Sequence, residues 1–166
     1  MNKTIAHPAK MDETDRRIID ALQRDGRLSN VELANRVGLS PTPCLRRVRR
    51  LEETGAITGY RAELGRAAVG LTLTVFVEIT VTRHTRGNAD EVEAALANVP
   101  GLVACHMVSG NADFLAEMAV ADLPAYERVL TNHILTIPAV DNVRSNFALR
   151  PVRAAQPLQV AAHHID

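Results

Sequence analysis

Between Gly26 and Leu51 two capped helical patterns meet across a single glycine, GRLSNVELANRVGLSPTPCLRRVRRL, and few folds accommodate that arrangement. Ser29 with Glu32 three residues on is a capping-box pattern, after which Leu33, Ala34 and Val37 recur on one face of a short helix. Gly38 suits the left-handed conformation that ends a helix. Ser40 then stands where a cap for the next helix belongs, with Pro41 at its first position, where a missing N–H costs nothing. The pattern predicts a helix-turn-helix. In its second helix Leu45, Val48 and Leu51 form an apolar stripe beginning at Cys44, while Arg46 and Arg50 point away from it. Thr42 and Pro43 project outward in the first turn, the part of a recognition helix that meets base edges in the major groove. Charge on the outward face of a helix is usually only a solvated surface, so the neighbouring caps and turn are what favour double-stranded DNA as the partner.

Charge asymmetry agrees with that partner. The 166-residue chain has zero formal net charge, yet up to Arg66 it has 13 basic and 9 acidic residues, a balance of +4, against 6 basic and 10 acidic beyond, a balance of −4. Two modules with different tasks are expected. Residues 1–10 are polar, contain both lysines and read as a mobile arm. Asp12 or Thr14 starts a first helix with Ile18, Ile19 and Leu22 inward, and residues 11–62 form the DNA-binding module. Ala56 to Ala62 after Gly55 read as a short strand pair, or wing, from which Arg61 reaches a phosphate. Residues 63–70, ELGRAAVG, read as a linker and 154–166 as a tail.

Residues 71–153 make the second module. Leu71, Leu73, Val75, Val77, Ile79 and Val81 alternate with Thr72, Thr74, Phe76, Glu78, Thr80 and Thr82, a strand of period two whose polar face is broken by Phe76. Helical spacing at Val92, Leu96 and Val99 stops at Pro100-Gly101, and Leu102 to Val108 reads as a strand buried on both faces. Phe114 to Val120 is a third strand. Asp122 caps a helix with Tyr126, Val129, Leu130 and Ile134 inward, and Val140 to Leu149 returns as the fourth strand. The fold class is therefore α+β, a winged helix-turn-helix followed by a ferredoxin-like βαββαβ domain with both helices on one face of the sheet. Its open face, apolar at Phe76, is expected to pack against the same face of a second copy.

The segment DGRLSNVELANRVGLSPTPCLRRVRRLEETGAITGY, followed by a βαββαβ domain containing MVSGNADF, resembles the Lrp/AsnC transcriptional regulators over roughly residues 11–153. The resemblance implies a DNA-binding regulator whose C-terminal RAM-type domain dimerises, assembles to tetramers or octamers, and senses an amino acid. Ser40, Pro41, Thr42, Pro43, Arg46, Arg47, Arg49 and Arg50 match the family's recognition-helix segment. Arginine is the commonest bidentate reader of guanine and also grips phosphate, so Arg46 and Thr42 are the candidate base contacts and Arg47, Arg49 and Arg50 candidate clamps.

A free amino acid needs donors for its carboxylate, an acceptor for its ammonium and a pocket for its side chain. Backbone N–H groups around Ser109 and Gly110 make an anion-binding concavity, Asp113 supplies negative charge and Asn111 can bond either end. Gly-Asn-Ala-Asp is also a good hairpin turn, and the resemblance is what implies an effector loop here. His106 and Met107 lead into this turn and could line the pocket, although a strand histidine is more often merely packed. Ser145-Asn146 depart from the threonine-aromatic pair of leucine-responsive relatives, so the sequence does not single out leucine.

An enzyme is not expected, since no cofactor fingerprint, phosphate loop or zinc spacing is present. Cys44 and Cys105 read as buried thiols of a reducing compartment, and His163-His164 lack further ligands for a metal. No cofactor, signal peptide or membrane span is expected, and the location is the cytoplasm, at the nucleoid. The rival function is an architectural DNA-binding protein that ignores small ligands.

Overall fold

The structure is a computed structural model that describes residues 11–82, 86–153 and 156–160, so the expected arm and the His163-His164 pair lie outside the described residues. The chain divides into two compact units, one formed by residues 11–62 with 156–160, the other by Glu63–Arg153.

In the first unit three helices surround one core. Helix α1 (Glu13–Arg24) opens on a capping box between Asp12 and Asp15, and α2 (Asn30–Val37) on the one between Ser29 and Glu32. Gly38 closes α2 at φ 72°, a conformation any side chain would strain, and α3 (Pro41–Glu53) follows. Ile18, Ala34, Cys44 and Leu51 are buried together, with Val48 and Ile57 packed beside them. Full burial of an aliphatic side chain contributes about 1.5–3 kcal/mol, so these contacts outweigh the marginal propensity of such short helices.

Three expectations for this unit are corrected. Ser40 makes no side-chain capping bond, and α3 is instead tied to α2 by the Asn30 amide, which donates to the Pro41 carbonyl at 2.9 Å. Leu45 is 39% exposed, because the packed stripe runs through Cys44, Val48 and Leu51, one residue out of phase with it. The wing contains no strand at 56–62. That segment is held by Ile57, whose N–H donates to the Leu51 carbonyl at 2.9 Å, and by the Tyr60 hydroxyl, which donates to Glu52 at 3.0 Å. Residues 156–160, read as part of a tail, lie on α1: the Gln23 side chain donates to the Leu158 carbonyl at 3.0 Å and accepts from its N–H at 2.6 Å.

The second unit runs β1 (Leu73–Val81), α4 (Arg86–Leu96), β2 (Leu102–Met107), β3 (Phe114–Val120), α5 (Leu123–Val129) and β4 (Val140–Phe147). Its antiparallel sheet has the order β2-β3-β1-β4. Val75, Val77 and Ile79 of β1 are fully buried with Val92 and Leu96 of α4 and with Tyr126 and Ile134, so both helices cover one face. Asp122 caps α5 by accepting from the Ala125 N–H at 2.8 Å, and a five-residue π-helical turn, Leu130–Ile134, continues it.

Two further readings change. β2 is an edge strand and is half exposed, not buried on both faces; its short apolar run carried no information about its place in the sheet. The expected linker contains a 3-10 helix, Arg66–Val69, and Arg66 donates to Thr74 at 2.9 Å and to Glu117 at 2.7 Å on the open face of the sheet. On that face Phe76 lies between Glu117 on β3 and Asn146 on β4 and is 40% exposed.

Candidate nucleic-acid interface and effector turn

The predicted DNA-binding residues fall into two groups. Ser40, Pro41, Thr42, Arg46 and Arg49 are exposed along the start and outward side of α3, with Pro43 half-buried beside them. Neither Arg46 nor Arg49 makes an ion pair within the chain among the described residues. Arg61 is exposed beyond Tyr60, whose phenol is pushed up to about 12 by burial and by its bond to Glu52 and so stays a donor.

Arg47 and Arg50 turn toward α1. Arg47 Nη1 lies 2.6 Å from Asp12 Oδ2 and 2.8 Å from Asp15 Oδ1, and Arg50 Nη2 pairs with Asp15 Oδ2. The expectation that Arg50 points directly away from the packed side is therefore corrected: the side chain is long enough to return to α1. The backbone N–H of Asp15, and then the Arg47 guanidinium, hold the Asp12 carboxyl below its ordinary value, and Asp12 in turn raises Arg47. The sequence reading missed Asp15. A signal was present, since Asp15 occupies the same helix face as Ile18, Ile19 and Leu22.

In the other unit the turn from Ser109 to Asp113 joins β2 to β3. Ser109, Gly110 and Asn111 are exposed, and Asp113 is half-buried. Asp113 Oδ2 accepts from the Val81 N–H at 2.8 Å, its own N–H donates to the Ile79 carbonyl at 2.9 Å, and its carbonyl accepts from the Val108 N–H at 2.9 Å. The turn is thereby fastened to the end of β1. His106 and Met107 are both exposed but alternate along β2, opposite Leu115 and Phe114 respectively, so they project to opposite faces. Both border a groove of about 650 Å³ beside α4, with Leu96 and Cys105. A second groove, of about 530 Å³, separates α4 from the π-helical turn and includes Glu91, His133 and Ile137. Ser145 faces the helices, where its hydroxyl meets that of Tyr126.

Burial raises the pKa of both thiols, aided at Cys105 by Glu93, so neither is an activated nucleophile. Among the described residues no helix is long and apolar enough to cross a membrane.

Residues 11–58 match a family of winged helix-turn-helix DNA-binding domains, and residues 74–158 match the Lrp/AsnC ligand binding domain. Together they define a DNA-binding transcriptional regulator with a separate ligand-binding domain, not an enzyme. The leucine-responsive regulatory protein of Salmonella typhimurium is 43% identical over 150 residues, covering 90% of this chain and 92% of that relative. That of Escherichia coli K12 is 42% identical over the same shares of the two chains. A Neisseria meningitidis transcriptional regulator solved as its L-Met complex superposes with a TM-score of 0.85 at 32% identity, covering 90% of this chain and 96% of that one. An AsnC family regulator from Agrobacterium tumefaciens also gives 0.85, at 33% identity over 90% and 97%. The chain belongs to the Lrp/AsnC family of transcriptional regulators.

Proposed function

We propose that this regulator binds operator DNA as a homo-oligomer and alters that binding when an amino acid, or a small molecule of the same zwitterionic class, occupies the turn from Ser109 to Asp113. The observation that carries the reading is the attachment of Asp113 to Val81. It fixes a carboxylate at the end of β1, beside the exposed Gly110 turn, within the domain that matches a ligand-binding family. The carboxylate attracts the ligand's ammonium, and the N–H groups of the turn meet its carboxylate. The relative solved with L-Met supports an amino acid as the ligand class.

On DNA, Thr42 and Arg46 read bases from the outward side of α3. Ser40, Pro41 and Pro43, at the start of α3, approach the backbone, and Arg49 and Arg61 neutralise phosphates. So few cations bind weakly in one copy, which favours a dimer spanning two half-sites. Exposed Phe76 at the centre of the open sheet face supports pairing of that face with a second copy.

A thermal-shift screen of the full-length protein against the twenty amino acids tests the sensing role. One chemical class is expected to raise the melting temperature, since a ligand at one hundred times its Kd stabilises by about 2.7 kcal/mol. Tight DNA binding with no shift for any of them would instead indicate an architectural DNA-binding protein.

A further inference from the structure

We propose that Asp15 positions the recognition helix, and that Arg47 and Arg50 stay paired to it on DNA instead of gripping phosphates. This rests on the DNA-binding reading above and changes which residues perform it.

Asp15 is the one charged residue that is buried among the described residues, with none of its surface exposed. It stands one turn before Ile18 and Ile19 on the core-facing side of α1. Its carboxylate accepts from the Asp12 N–H at 3.1 Å, from Arg47 Nη1 at 2.8 Å and from Arg50 Nη2. The same Arg47 nitrogen reaches Asp12, so one guanidinium bridges two carboxylates of α1 from the neighbouring α3. Arg47 and Arg50, three residues apart, thus fasten α3 against α1 about one point.

The two alternatives for these arginines differ in what each leaves behind. A phosphate contact, whose gain comes from released counterions, can be supplied by Arg46 or Arg49 without leaving any partner inside the protein. Removing the partners of a fully buried carboxylate leaves an uncompensated charge in the interior, which is the larger penalty. Arg47 and Arg50 therefore remain on Asp15, and the cations left to meet DNA from α3 are Arg46 and Arg49. The network holds the angle at which α3 enters the groove, so Asp15, Arg47 and Arg50 affect discrimination between sequences without adding to the count of phosphates neutralised.

The salt dependence of binding separates the two roles, because each phosphate contact contributes to the slope of log affinity against log salt. Full-length protein is titrated, at several salt concentrations, onto the duplex it selects from a random-sequence pool and onto a scrambled duplex. Arg49→Gln is expected to lower the slope by roughly 1 for each bound subunit. Arg47→Gln, Arg50→Gln and Asp15→Asn are expected to leave the slope unchanged while reducing the preference for the selected duplex several-fold, and the Asp15→Asn/Arg47→Gln double variant to lose no more than either single one. A slope lowered by Arg47→Gln or Arg50→Gln as it is by Arg49→Gln overturns the proposal. Should these variants not fold, the guanidinium NMR signals of the unmodified protein decide it. Those of Arg47 and Arg50 stay in place on adding the selected duplex while those of Arg46 and Arg49 move, and movement of all four overturns it. Failure of the unmodified protein to select any duplex overturns the DNA-binding reading itself.

Discussion

The Asp113 carboxylate accepts a hydrogen bond from the backbone N–H of Val81 at 2.8 Å, so the turn that follows β2 is held by the last residue of β1. This bond gives Asp113 a structural role beside the proposed electrostatic one, and two substitutions separate them. Asp113→Asn keeps an acceptor for Val81 and removes the charge. The ligand-induced thermal shift should vanish, with a smaller loss of ligand-free stability than in Asp113→Ala. Asp113→Ala should lose the shift and also about 1–3 kcal/mol of stability, because a half-buried N–H is left without its acceptor. A full thermal shift in Asp113→Asn would show that the ammonium is bound elsewhere.

Arg46 is exposed on α3 and makes no ion pair within the chain among the described residues. Arg46→Ala should weaken binding to the selected duplex by about 1–3 kcal/mol and relax discrimination at one base position. A gel-shift titration showing unchanged affinity and preference would remove Arg46 from the base-reading set.

Phe76 tests the oligomer. It is an aromatic ring on the open face of β1, flanked by Glu117 and Asn146. Phe76→Glu places charge at the centre of the proposed contact and should shift the sedimentation coefficient toward that of the monomer. An unchanged coefficient would place the subunit interface on another surface.

Gly101 precedes β2 at φ 78°, and a Cβ there would lie 3.0 Å from the Ala119 carbonyl oxygen and 3.2 Å from a Val120 methyl. Strain and crowding act together. Gly101→Ala should destabilise the sheet unit by about 1–3 kcal/mol, read as a lower denaturant midpoint. An equal midpoint would mean that the β2–β3 edge yields freely.

How far the sequence carried depended on the range of each interaction. The Ser29–Glu32 capping box and the Gly38 termination were legible because they are local, fixed by residues three to nine apart in the chain. The period of β1 and the βαββαβ order were legible because burial of one sheet face imposes alternation over many residues. The course of Arg47 and Arg50 was not, since their partner Asp15 is more than thirty residues away and becomes adjacent only when α1 packs on α3. Leu45 lies outside the packed stripe for a related reason: a stripe counted from Leu45 and one counted from Cys44 differ by a single helical step, and only the packing of α1 and α2 chooses between them. His106 and Met107 both border the groove beside α4, while strand alternation sends them to opposite faces of β2. The alternation could have been read from their adjacency alone. The edge position of β2 depended on the pairing of all four strands and had no local signal.

The central claim is that the sheet unit is the input and the helix-turn-helix the output of one switch. The most direct measurement is the affinity of the full-length protein for its selected duplex, by fluorescence anisotropy, with and without a saturating amount of the amino acid that gives the thermal shift. A coupled switch changes the Kd by about five-fold or more, in either direction, and by linkage the duplex changes the affinity for the amino acid by the same factor. Identical Kd values with the ligand site shown to be filled would contradict the account.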